Sequence, residues 1–128
     1  MTELLLSAFL FCTAQPGPPS APVDRYVEAY NARDIDGMRS VFTDDARILV
    51  WTEESAEPER YNVDTVVGAM RGVFSQFPDI TLTTEGGVEL GARVAQIERY
   101  VEGPPASPAA LVVYTVTDGC IVARESYW

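Results

Sequence analysis

The chemistry open to this chain is narrowed first by two residue types it lacks. It contains no histidine and no lysine, and all nine of its basic side chains are arginine. Without histidine there is no Ser–His or Cys–His nucleophile pair and no imidazole metal ligand; without lysine there is no Schiff base. Acid–base work is left to Asp, Glu and Tyr. The adjacent Asp44 and Asp45 have the look of a carboxylate pair, but they sit between a helix and a strand, where turn or capping duty accounts for them. Glu53, Glu54, Glu57 and Glu59 read as a solvated acidic loop. Cys12 and Cys120 stand in no metal-type spacing and are read as unpaired, Cys12 lying outside the folded unit. With no Gly-rich phosphate loop and no metal motif, neither cofactor nor metal is expected.

The elements that must position these groups follow from pattern. At 128 residues and 47% hydrophobic, the chain suits one domain with a real core. Its net charge of −10 disfavours nucleic acid and anionic membrane as partners. The apolar run Leu4 to Cys12 is far below the about 20 residues that cross a bilayer. Glu3 and the absence of basic residues ahead of that run argue against a secretory signal, so cytoplasmic residence is favoured over export. Residues 1–19 are expected to form an apolar segment and proline-rich linker outside a domain spanning 20–128.

Within that domain, Ser20 as cap, Pro22 in the first turn and Val23, Tyr26, Val27 and Tyr30 at helical spacing predict a first helix. Asp34 caps a short second one, ahead of the strand "ARILVWT". Asn62 opens a third helix, with Val63, Val66, Val67, Met70, Val73 and Phe74 on one face until Pro78 stops it. Strands follow to the end: "DITLTTE" with a bulge at Gly86-Gly87, "RVAQIERYVE", "AALVVYTV", a tight Asp118-Gly119 turn and "CIVARESYW". Three helices before a long antiparallel meander define an α+β domain with the helices covering one face of a curved sheet.

The stretch "RYVEAYNARDIDGMRSVFTDDARI", followed by a loop, an amphipathic helix and four strands, resembles the nuclear transport factor 2-like superfamily, in particular its SnoaL-like and ketosteroid-isomerase-like branches. The resemblance covers Val23 to Trp128. It implies a cone, in which a curved antiparallel sheet wraps three N-terminal helices around an internal cavity. It does not fix the function, because the scaffold hosts isomerases, cyclases, epoxide hydrolases and plain association modules. The isomerase branch uses a tyrosine on the first helix, matched here by Tyr26, and two aspartates whose positions fall on Val50 and Val113. Ketosteroid isomerase chemistry is therefore not expected.

Carried through the strands, the same registers point Ile48, Val50, Arg99, Val113, Arg124 and Trp128 into the cone. Tyr26, Arg99 and Arg124 then converge on an apolar pocket completed by Tyr30, Met70 and Phe74. Tyr26 and Arg124 are the candidate catalytic groups. Glu98 joins them if the third strand is slipped by one residue, replacing Arg99 inside. The expected ligand is a small, mostly apolar molecule with an acidic or enolisable oxygen. An acid–base isomerase or cyclase and a non-catalytic ligand-binding or dimerisation module both remain open, separated by whether a buried carboxylate with a raised pKa faces a deep cavity. A homodimer through the outer sheet face is expected, with Val112, Tyr114 and Val116 placed on that face.

Overall fold

The computed structural model describes residues 11–106 and 108–128. Two side-chain caps and a proline stop fix the helical layer. Helix α1 (Ser20–Asn31) buries the Val23, Tyr26 and Tyr30 stripe. Ser20 does not cap it: Pro19 occupies that position, and the Ser20 backbone N–H donates instead to Glu89 Oε1 at 3.0 Å. At the other end, the Asn31 amide exchanges two hydrogen bonds of 2.8 and 2.9 Å with the backbone of Leu82, acting as a strand neighbour and anchoring α1 to the sheet. Helix α2 (Ile35–Ser40) starts at Asp34, which accepts from the Gly37 N–H at 2.9 Å. A Cβ at Gly37 would lie 2.4 Å from Asp34 Oδ2, so glycine alone fits beneath the cap. Helix α3 (Val63–Gln76) is capped by Asn62, which accepts from the Thr65 N–H at 2.8 Å.

The sheet has six strands in the order β2-β1-β6-β5-β4-β3, namely β1 (Phe42–Trp51), β2 (Glu59–Asn62), β3 (Thr81–Leu90), β4 (Arg93–Val101), β5 (Ala109–Thr117) and β6 (Cys120–Tyr127). β3 to β6 form the expected antiparallel meander, with the Gly86-Gly87 bulge in place. Positive φ at both Asp118 and Gly119 closes the last hairpin tightly. The sheet is mixed rather than wholly antiparallel, because β1 pairs with β6 in parallel. Part of the expected acidic loop is strand β2, four exposed residues with no apolar alternation to announce them. The architecture is the α+β cone, three helices packed against a curved sheet.

Strand facing departs from the sequence reading in two places. On β4 the inward residues are Val94, Gln96, Glu98 and Tyr100, and Arg99 points out. On β5 they are Ala110, Val112, Tyr114 and Val116; Val112 and Tyr114, expected outside, are fully buried, and Leu111 is 42% exposed. The cause is an extra residue, Val122, in β6: Val116 pairs with Ile121 but Thr115 pairs with Ala123. Counting straight back from the turn crosses that bulge and inverts the parity of one strand relative to the other.

Cys12 and Cys120 are not unpaired. They form a disulfide with Cα atoms 5.7 Å apart. Gln15 N–H donates to the Asp118 carbonyl at 2.9 Å and Cys12 N–H to that of Phe42 at 3.1 Å. Residues 12–15 are thus stitched to the domain rather than standing outside it; the apolar run up to Leu10 lies outside the described residues. Among the described residues no helix is long and apolar enough to cross a membrane.

Candidate functional site

The Val122 bulge decides what the cone holds, because it sets Arg124 opposite Tyr114 instead of Val113. Both then face inward with Glu98 and Tyr100 of β4. Arg124 Nη2 donates to Glu98 Oε1 at 2.9 Å and to the Tyr100 hydroxyl at 3.1 Å, and its Nε donates to the Tyr114 hydroxyl at 3.3 Å. The Tyr100 hydroxyl donates to Glu98 Oε1 at 3.0 Å, Gln96 Nε2 to Oε2 at 3.0 Å, and the Tyr114 hydroxyl also to Oε2. Glu98 is wholly buried and Arg124 7% exposed, so the pair is neutral as a unit and shielded from water. Such a pair is tolerated only when its remaining lone pairs and N–H groups are satisfied, and four donors on one carboxylate meet that condition.

Electrostatics follow from this packing. Burial alone would raise the Glu98 pKa, but the Arg124 charge and the hydrogen bonds from Tyr114, Gln96 and Arg124 outweigh it and hold the carboxyl below its ordinary value. Glu98 is therefore an ionised group with both oxygens doubly occupied. Burial drives the Tyr26, Tyr100 and Tyr114 hydroxyls above the usual tyrosine range, so they remain neutral donors. The Tyr26 ring lies against the Arg124 guanidinium, 5.9 Å from its centroid. Arg124 Nη1 and the hydroxyls of Tyr26 and Tyr30 make no hydrogen bond among the described residues, leaving them for whatever enters.

Above this floor lies a cavity of about 180 Å³. Tyr26 and Tyr30 wall it from α1, Val66, Met70 and Val73 roof it from α3, and Tyr100, Arg124 and Trp128 close the sheet side. A second chamber of about 330 Å³ opens between α3 and β1, lined by Ile48, Val50, Thr65, Ala69 and Ser126. The two share Val66, Met70, Arg124 and Trp128. Trp128 is fixed at the junction, stacking on Tyr100 at 5.7 Å and donating from Nε1 to Ser126 Oγ at 3.1 Å.

Of the sequence-derived candidates, Tyr26, Tyr30, Met70, Arg124 and Trp128 border the first cavity, and Ile48 and Val50 the second. Glu98 stands directly behind Arg124. Phe74 packs edge-on against Tyr30 at 5.1 Å, outside the cavity linings. Two candidates leave the site. Arg99 lies on the surface, paired to Glu85 at 2.7 Å, and Val113 points away from the cone. The expected Tyr26–Arg99–Arg124 trio is replaced by Tyr26, Arg124, Glu98 and Tyr100. Tyr114 and Gln96 were missed. The one signal for Tyr114 was Thr115 and Thr117, which mark the other face of β5 as the polar one. Among the described residues no group of three or more metal-ligating side chains converges.

Helices packed into a curved mixed sheet around an arginine-floored cavity define a nuclear transport factor 2-like domain, and comparisons place it more narrowly. A family profile described as "SnoaL-like domain" matches residues 23–124, and the chain belongs to that family. No curated protein matches it. Among solved structures it is similar to a loop-truncated variant of IdmH, with 24% identity, 85% of this chain and 91% of that one covered, and a TM-score of 0.71. Wild-type IdmH, from Streptomyces antibioticus, is described as a proposed polyketide cyclase. A cystatin-fold protein of Novosphingobium aromaticivorans is 20% identical over 87% of this chain and 98% of that one, with a TM-score of 0.70. An NTF2-like protein of Burkholderia pseudomallei is 19% identical over 88% and 92%, with a TM-score of 0.63.

Proposed function

We propose that this domain binds a small, mostly apolar molecule through one oxygen, which accepts hydrogen bonds from Arg124 Nη1 and the Tyr26 hydroxyl. The observation that carries this reading is the neutralised guanidinium at the floor of an otherwise apolar cavity. Since Glu98 already balances the charge of Arg124, a neutral acceptor such as an enolisable ketone suits the site better than a carboxylate, which would bring an uncompensated charge into it. Fixed donors aimed at a carbonyl oxygen stabilise an enolate as charge develops, which is the chemistry of an isomerase or a cyclase. The similarity to a proposed polyketide cyclase supports the same direction.

A second reading, binding without catalysis, is favoured by the saturation of Glu98. A carboxylate that accepts four hydrogen bonds and has a lowered pKa is a poor proton acceptor. One experiment separates the two. The protein is titrated calorimetrically with acetophenone, and exchange of the ketone's α-protons in D2O is followed by NMR. Saturable binding with accelerated exchange supports an enolising enzyme; binding without acceleration supports the module. Absence of binding by this and larger apolar ketones removes both.

A further inference from the structure

The two chambers share a wall and a floor, and the shared residues include the only group there with unspent charge-assisted donors, Arg124. Met70 and Trp128 stand at the same junction. On one side the walls hold three tyrosines, Tyr26, Tyr30 and Tyr100; on the other they are Ile48, Val50, Tyr61 and the small side chains Thr65, Ala69 and Ser126. An oxygen placed on Arg124 therefore sits between two apolar spaces rather than at the end of one. A ligand with a single apolar body would leave one space to water, in contact with Ile48 and Val50 or with Val73 and Ile80. Covering that surface contributes roughly 25 cal/mol for each Å² removed from water.

We infer that the ligand is a two-armed molecule, with a neutral oxygen at its branch point and one apolar arm in each chamber, the flatter and more aromatic arm lying among the tyrosines. This rests on the proposed binding of an oxygen by Arg124 and adds the shape of what carries it. The aromatic arm is argued from the lining: Tyr26, Tyr30 and Tyr100 border the first chamber, where ring faces and edges offer stacking and edge-on contacts to an aryl group.

The test uses three probes on the unmodified protein: deoxybenzoin, a ketone with two aryl arms; acetophenone, the same ketone with one; and bibenzyl, two arms without the oxygen. Deoxybenzoin is expected to bind about tenfold more tightly than acetophenone, the worth of about one further buried ring face. Ala69→Phe, which fills the second chamber from an exposed helix position, and Val73→Phe, which fills the first, are each expected to weaken deoxybenzoin about tenfold. In wild-type protein the methyl NMR signals of Ala69 and Val73 should both shift when deoxybenzoin is added, a readout independent of whether either variant folds. If only one of the two methyls responds, or if acetophenone binds as tightly as deoxybenzoin, the two-armed ligand is wrong while binding at Arg124 stands. If bibenzyl equals deoxybenzoin, or none of the three binds, the oxygen contact itself is wrong and this inference goes with it.

Discussion

At the scale of single residues, Glu98 is the strongest test of how the site is held together. Replacing it with Gln leaves Arg124 buried without a counter-charge, and breaking a buried pair from one side costs about 3–5 kcal/mol. Glu98→Gln is therefore expected to lower unfolding free energy by that amount in urea, and a Glu98→Leu/Arg124→Met double variant to recover most of it. The pH dependence has a definite sign. The folded-state pKa of Glu98 is depressed, so its contribution is fully present above the ordinary carboxylate pKa and is lost as pH falls through the lowered value. Stability should hold from neutrality to mildly acid pH and decline below, with the decline flattened in Glu98→Gln. Because the cavity tyrosines are pushed upward and Glu98 downward, no group in this cluster titrates near neutrality. Ligand affinity should be flat from about pH 6 to 8, and a calorimetric titration series that slopes across this window would contradict the assignment.

At the scale of elements, helix α3 roofs both chambers, so its cap reaches beyond local stability. Asn62→Ala removes the bond to the Thr65 N–H and is expected to destabilise the protein by about 1 kcal/mol. Fraying of the first turn at Val66 should also weaken ligand binding, whereas Asp34→Ala at α2, of similar cost, should leave affinity unchanged. All three helices were legible in the sequence because their signals are local: a 3.6-residue stripe, the Asp34 and Asn62 caps and the Pro78 stop. Strand existence was nearly as clear, except for β2, whose exposed Glu-Arg-Tyr-Asn carries no alternation. Strand parity was not. The outward residues of β4, Ala95, Ile97, Arg99 and Val101, are more apolar than the inward Val94, Gln96, Glu98 and Tyr100, so hydrophobic facing misleads when the interior holds an ion pair. A single unannounced residue, Val122, then moved Tyr114 rather than Val113 into the site.

At the scale of the whole molecule, the outward face of the sheet carries an unbroken row across four strands, Trp51, Tyr127, Leu111 and Ile97, in register. We propose that a second copy covers it; sedimentation should give a dimer at micromolar concentration, and Leu111→Asp a monomer that keeps its fold. The Cys12–Cys120 bond spans 108 residues, and closing a loop of that order stabilises by about 4 to 5 kcal/mol in the chain-entropy account. Cys12→Ser should lose that much. Such bonds persist in oxidising compartments. Intact mass of the natively expressed protein, two hydrogens below the reduced value, checks the bond. The parallel pairing of β1 with β6 bears on the order of biosynthesis. On the ribosome, α1, α2 and β1 emerge well before β6, the strand that supplies Arg124 and the long-range disulfide partner. Until β6 follows, the edge of β1 away from β2 lacks its parallel partner. Pairing β1 with β6 is thus a long-range closure, expected to be among the slower steps of folding.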